Sequence, residues 1–530
     1  MDVKKDGTEQ LAKAAGLVSS MTLVSRLLGL VREQVFAGLL GAGYHSDAFR
    51  IGFRVPNLLR DLFAEGALSA AFVPTYARTR KEQGQPEAFQ LANRLLTFLA
   101  VVLGVVVVLA ILFAWPIVAT IAPGFDDAPG KAALTVRLTR VMMPFLPLVS
   151  FAAVAMGVLN AEGHFGVPAL SPALFNAVTI AWAAGLWALG LAPDQVVFGW
   201  AMGTLAGGLA QFLVQVPSLR RLGWRFRPDW SPGDPALRQV GRLMAPATVG
   251  LAAVQVNIFV SSIFASQQPG AVSWLDYAFR LLYLPIGLFG VAVGTIATAG
   301  LARRAAEKDL DGLRATLRQS LSMLLYLTLP ATVGLMVLGT PIVRLLYERG
   351  RFSAVDTHQT ATALLLYSIG LVGYTGVKVL APAFYALGTP RVPLVASALA
   401  VVTNLTVILF GHGDLGFRAI ALGTALGSLL NAGCLVVVFQ RRLGGLFGHG
   451  LFRGALRMVV AAALMGVAAR LAASVLEGWL GTAGLRAQLA TGLLPVAAGA
   501  FVYFALTHVL RVGEAHALGA LVRRFGARAA

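Results

Sequence analysis

Residues 25–34 read SRLLGLVREQ, with two arginines and a glutamate inside the first strongly apolar segment of the chain. At roughly 100° per residue, Ser19, Thr22, Ser25, Arg26, Gly29, Arg32 and Glu33 fall in one sector of about 140°. Leu17, Leu23, Val24, Leu27, Leu28, Leu30, Val31 and Val35 fill the opposite side. The charges are therefore ordered on one face, and the other face suits lipid or packed protein. The next segment repeats the device: Asp47, Arg50, Arg54, Asn57, Asp61 and Glu65 recur at steps of three or four, with Arg60 at the edge. Pro56 lies in the middle of this run and predicts a kink. Further on, Asp276 and Arg280 stand four apart just before Pro285, and Lys378 stands alone in an apolar run.

The setting of these charges is a membrane protein. Hydrophobic residues make up 57% of the 530 and charged residues only 13%, about half the share of soluble chains. Apolar runs of roughly 20 residues, long enough to cross a hydrocarbon core of about 30 Å, recur along the chain. Leu95–Trp115 (LLTFLAVVLGVVVVLAILFAW) is the clearest. With the two charged segments at the start, the pattern predicts an all-α polytopic protein of about 14 transmembrane helices. The polar opening MDVKKDGTEQLAKAAG has no short apolar core with a cleavage site, so an uncleaved N-terminus is expected. The single Cys434 excludes an internal disulfide.

The net charge of +19 is distributed by side. Basic clusters occupy alternate connections: Arg78 to Arg94, Arg220 to Arg242, Arg303 to Arg318 and Arg441 to Arg457. The intervening loops 41–47, 191–195 and 266–270 have no Lys or Arg, while Arg349, Arg351 and Arg486 are exceptions on the outer side. This pattern places both termini in the cytoplasm and argues against nucleic acid as the partner of the positive charge.

An internal repeat refines the plan. AEGHFGVP (161–168) and ALGTPRVP (386–393) share A-x-G-x-x-x-V-P at an offset of 225, and RVPNLL (54–59) and YLPIGL (283–288) align at 229. A duplication of six helices is expected, giving parallel lobes and leaving two C-terminal helices. The corresponding division is 1–222, 223–445 and 446–530.

A charge at mid-bilayer costs about 2.5–3.5 kcal/mol even on the lenient insertion scale. The charged stripes must therefore face one another, water or a ligand. Two readings follow: buried ion pairs that fix helix packing, or a pathway for an anion. The surplus of arginine over carboxylate favours the second, because Arg matches phosphate bidentately. GHGDLG (411–416) fits G-x-G-x-x-G but is expected in a loop between membrane helices, without the strand–turn–helix context of a nucleotide site. No P-loop, H-E-x-x-H or G-x-S-x-G motif occurs, and neither a metal nor a cofactor is expected.

The run SSMTLVSRLLGLVREQVFAGLLGAGYHSDAF (19–49), followed by VPNLLRDLFAEGALSAAFVP (55–74), resembles the N-terminal signature of the MurJ (MviN) lipid II flippase family. IAPGF (121–125), VSWLDYAFR (272–280) and KVLAPAFYALGTPRVP (378–393) extend the resemblance along nearly the whole chain. The resemblance implies the multidrug/oligosaccharidyl-lipid/polysaccharide exporter fold, with two six-helix lobes around a central cationic cavity and two C-terminal helices shaping a groove for a lipid tail. It implies transport, not catalysis, in the bacterial cytoplasmic membrane. The implied cargo is lipid II, the undecaprenyl-diphosphate-linked peptidoglycan precursor, carried by alternating access by a monomer, beside membrane lipids and near the peptidoglycan synthesis machinery. Another undecaprenyl-diphosphate-linked glycan is the alternative cargo. By motif match the essential cations fall on Arg26, Arg32, Arg60 and Arg280 and the key aspartate on Asp47. Glu33, Arg50, Arg54, Asp61, Glu65, Asp276 and Lys378 are expected in secondary or gating positions. Phe279 stands where an aspartate is expected before Arg280, and Asp276, one turn back, is the substitute.

Overall fold

A computed structural model describes residues 2–61, 66–446 and 449–516, and the regular structure among them is helical throughout. Glu65 lies outside the described residues. Contacts divide the chain into two compact units.

The first unit comprises residues 1–272 with the short return 349–352. It contains α1 (Asp2–Leu40), α2 (Tyr44–Arg60), α3 (Gly66–Gln83), α4 (Gln85–Leu112), α5 (Ala114–Ile121), α6 (Lys131–Met142) and α7 (Phe145–Ala161). Next come α8 (Gly166–Ala188), α9 (Pro193–Leu213), α10 (Val216–Arg221) and α11 (Pro235–Ser266). Helix α1 packs on α8, where Asn176 Nδ2 donates to the Ser25 carbonyl at 3.1 Å. Helix α11 packs on α3, so by contacts it belongs with the first unit although the repeat offset pairs it with α1. The return 349–352 is tied to α1 by the Arg351 N–H, which donates to the Gly38 carbonyl at 2.9 Å. Gly41, with φ 64°, is required there, because an added Cβ would lie 2.5 Å from the Arg351 carbonyl oxygen.

The second unit comprises residues 273–348 and 353–530. Helix α12 (Ala271–Pro285) reaches it from residue 273 onward and is followed by a π-helical stretch, Ile286–Gly290, and by α13 (Val291–Ala306). The rest is α14 (Leu310–Val337), α15 (Gly339–Tyr347), α16 (Ala354–Ile369), α17 (Leu371–Ala386), α18 (Arg391–Leu415), α19 (Arg418–Leu443), α20 (His449–Leu480) and α21 (Leu485–Val509). Ser353 and Asp356 form a reciprocal capping box at the start of α16, and the Trp274 indole donates to Asp356 at 2.9 Å. GHGDLG is not a loop. Its first five residues are the last turn of α18, and Gly416 ends the helix at φ 57°.

The duplication extends well past the quoted motifs. The first residues of α3, α4, α5, α8 and α9 each recur 225 positions later as the first residues of α13, α14, α15, α18 and α19. The turn within the motif repeats bond for bond. His164 N–H donates to Leu159 and Thr389 N–H to Phe384, both at 2.8 Å, with Gly163 and Gly388 both left-handed. These are Schellman closures, for which glycine avoids the steric cost of a Cβ.

Eleven helical segments among the described residues are long and apolar enough to cross a bilayer. The three further elements that a count of fourteen needs are α1, the α2–α3 pair and α11. The first two carry the stripes of charge, which lower their hydropathy. Large apolar side chains face outward along the spans, Trp187, Phe410 and Trp479 among them, as expected where lipid is the solvent.

Candidate functional site

In the first unit the stripes of α1 and α2 meet through a shared carboxylate. Glu33, buried, accepts from Arg32 at 3.0 Å through one oxygen and lies 3.5 Å from Arg50 through the other. Each guanidinium also rests on an aromatic ring, Arg32 on Phe175 at 5.2 Å and Arg50 on Phe36 at 5.0 Å. Both cations thus bind the Glu33 carboxylate, which holds the two guanidinium planes in place. Arg26, one turn and a half earlier on α1, is exposed and has no partner among the described residues.

Toward the end of α2, Arg54 and Asp61 find partners on α11, whereas Arg60 turns to its own neighbour. Arg54 donates to the Ser262 hydroxyl, and Arg60 pairs with Asp61 at 2.9 Å. Asp61 also accepts from the Gln255 amide at 3.4 Å. Arg60 and Asp61 are both only half-buried.

Asp47 is placed differently from the arginines. It is completely buried at the start of α2, 2.9 Å from the Lys131 ammonium, and the same oxygen accepts the Gly270 N–H at 2.9 Å. Lys131 is itself buried, with its nitrogen 4.1 Å from the centre of the Phe125 ring. Sequence reasoning missed Lys131. The signal was available: it is a lone lysine in a connection on the side where basic residues are otherwise scarce. Glu162 was missed as well. Its nearly inaccessible side chain binds Arg80 at 2.9 Å and accepts from the Tyr76 hydroxyl at 3.0 Å.

In the second unit Arg280 is exposed and bonded to Asp276 one turn back at 3.0 Å. Asp276 is thus a carboxylate partner of Arg280. Phe279 points into the protein, edge-on to Tyr367 at 5.5 Å and Tyr374 at 6.2 Å. Lys378 is exposed on α17, where α13 approaches so closely that a Cβ on Gly294 would lie 2.9 Å from the Lys378 carbonyl oxygen. The same unit holds an apolar groove of about 390 Å³ among α12, α14, α15, α20 and α21. Leu281, Phe289, Leu335, Met465, Pro495 and Gly499 are among its walls.

Residues 36–487 match the family model described as "Lipid II flippase MurJ". A probable lipid II flippase MurJ of Vibrio cholerae is 35% identical over 81% of this chain and 82% of its own. A lipid II flippase MurJ of Burkholderia cenocepacia is 37% identical over 79% and 83%. Among solved structures, a lipid II flippase MurJ in an inward closed conformation superposes with a TM-score of 0.76 over 93% of this chain and 98% of that one, at 24% identity. An inward-facing multidrug resistance transporter of the MATE family, in the MOP superfamily, superposes with a TM-score of 0.66 over 82% of this chain at 17% identity, so the likeness there is one of fold. With most of its length matched by the family model and by relatives above 30% identity, the chain belongs to the lipid II flippase MurJ family.

Proposed function

We propose that this multi-pass inner-membrane protein carries lipid II, the undecaprenyl-diphosphate-linked muropeptide, from the inner to the outer leaflet. The observation that carries the reading is the arginine stripe of α1 and α2, where Arg26, Arg32, Arg50, Arg54 and Arg60 outnumber the carboxylates Glu33, Asp47, Asp61 and Glu65, and Asp47 is already matched by Lys131. A diphosphate leaving water for a membrane interior needs its charge compensated, and guanidinium groups do so with directed bonds. Arg26, Arg32, Arg60 and Arg280 are the cations assigned to the diphosphate. Glu33 orients Arg32 and Arg50, Asp276 orients Arg280, and Asp47 anchors the outer end of α2. Arg54, Asp61 and Lys378 are secondary contacts along the path.

The apolar groove of the second unit is the seat proposed for the polyprenyl chain, which stays in a hydrocarbon-like setting while the headgroup moves. Two six-helix lobes working by alternating access fit the duplicated plan, with both termini in the cytoplasm and the monomer as the working unit. Binding must favour the occluded state differentially, because equal affinity for all states shifts none of them.

The test is complementation of a strain depleted of its own flippase. Arg32→Ala and Arg280→Ala are expected to reach the membrane at wild-type levels and to fail to restore growth, with lipid II retained in the inner leaflet. Full rescue by either variant removes that arginine from the pathway. Rescue of a different glycan's export, with lipid II still retained, assigns the alternative cargo.

A further inference from the structure

A second cationic pocket lies in the second unit, built on residues that the transport reading does not use. It encloses about 610 Å³ at the starts of α14 and α20 and the turn after α21. Arg318 comes from α14, Arg453 and Arg457 from successive turns of α20, and Arg511 from the turn. Glu514 is the one carboxylate in the lining, and it accepts from the Ser322 hydroxyl. Among the described residues none of the four arginines has a carboxylate within ion-pair distance. Residues 517–530, which follow the turn, contain no Asp or Glu and three more arginines.

Two details show a site held ready for an anion. Arg318 is fixed by a bond from Nη2 to the Gly445 carbonyl, yet its buried Nε has no acceptor. Arg511 occupies the left-handed position of a Schellman closure at φ 55°, with Val512 N–H donating to Thr507 at 2.9 Å and Arg511 N–H to His508 at 3.1 Å. Glycine fills that position without a steric cost, as it does at Gly163 and Gly388.

The neighbouring surface identifies the class of anion. Phe452, Leu456, Val459, Val460, Val467 and Leu471 are exposed along α20, within a sector of roughly 140° at 100° per residue. Arg453 and Arg457 border this apolar strip at its pocket end. A molecule suited to both has a phosphate next to hydrocarbon. Basic pockets beside membrane helices on the cytoplasmic side suit such headgroups.

We propose that this pocket binds the phosphodiester of an anionic phospholipid in the inner leaflet, with its acyl chains along the exposed strip of α20. The site is separate from the arginines assigned to lipid II and stands without that assignment. The test uses the purified full chain in detergent, with phosphatidylglycerol or phosphatidylcholine added and bound lipid counted by native mass spectrometry. Wild type retains phosphatidylglycerol in preference to phosphatidylcholine. Arg453→Gln with Arg457→Gln weakens that retention on the order of tenfold, whereas the exposed control pair Arg221→Gln with Arg227→Gln leaves it unchanged. Arg511→Gly removes a cation while relieving the backbone, so retention falls with no loss of thermal stability. Equal retention by wild type and the α20 pair overturns the proposal, as does an equal loss in the control pair. Displacement of phosphatidylglycerol by millimolar inorganic phosphate as readily as by more lipid overturns the lipid occupant and leaves a site for free phosphate.

Discussion

Lys131 and Asp47 form the most thoroughly buried ion pair among the described residues. An ion pair withdrawn from water gains little net stability, but removing one partner leaves the other charge stranded. Lys131→Met is therefore expected to destabilise the protein by about 3–5 kcal/mol, read as a fall in melting temperature in detergent. Adding Asp47→Asn should recover most of that loss, since the double variant leaves no lone charge. Additive losses in the double variant would show that the pair is not the source of the effect. The pair also marks where the sequence was silent. Periodicity exposes charges that share a face of one helix, such as Arg32 and Glu33, whereas Asp47 and Lys131 lie 84 positions apart and meet only through the fold. Asp276 and Arg280 were legible for the opposite reason, since a spacing of four on one helix brings the two side chains together by itself.

At the scale of elements, the link between α10 and α11 lies outside the membrane-spanning helices and is held by charge. Arg94 on α4 binds Asp229 at 2.9 Å and Asp234 at 2.7 Å, and Asp234 also caps α11 by accepting from the Leu237 N–H. The Ser231 hydroxyl, donating to Asp229 at 2.6 Å, is the largest cause holding that carboxyl below its ordinary range, with Arg94 and Gln90 adding to it. A depressed folded pKa contributes stability that is present above the unfolded value and is lost as pH falls through the folded one. Melting temperature should accordingly drop as pH falls below about 4, and Ser231→Ala should lower it at neutral pH and make the acid drop shallower, the two proteins converging once Asp229 is protonated. An identical pH profile for the variant would sink the assignment. Helix identity and order were readable along most of the chain because apolar runs and glycine turns are local signals. The fate of GHGDLG was not, because a last helical turn that holds Gly411 and Gly413 despite their poor helix propensity has the composition of a loop.

For the whole molecule, the 225-residue offset is the strongest regularity. It was visible as one shared turn motif and persists in the starts of five pairs of helices. What the sequence could not show was that α11, the partner of α1 by the repeat, packs with the first unit through α3, because packing follows surface and not register. An even number of crossings in each copy gives both copies the same orientation, so one measurement of sidedness tests the entire scheme. Cys434 is the only cysteine, and Cys434→Ser provides a background without thiols. In that background Glu307→Cys, in an arginine-rich connection, is expected to resist a membrane-impermeant maleimide in intact cells and to react after permeabilisation. Thr482→Cys, in the turn between α20 and α21, should react in intact cells once the outer envelope admits the reagent. Both positions are exposed to solvent or headgroups in the fold, so burial does not decide the result. The reverse labelling would invert the molecule. The arginines of α20 would then lie in the outer leaflet and the phospholipid site with them, while equal labelling of both positions would mean that one of the five apolar segments between them does not cross.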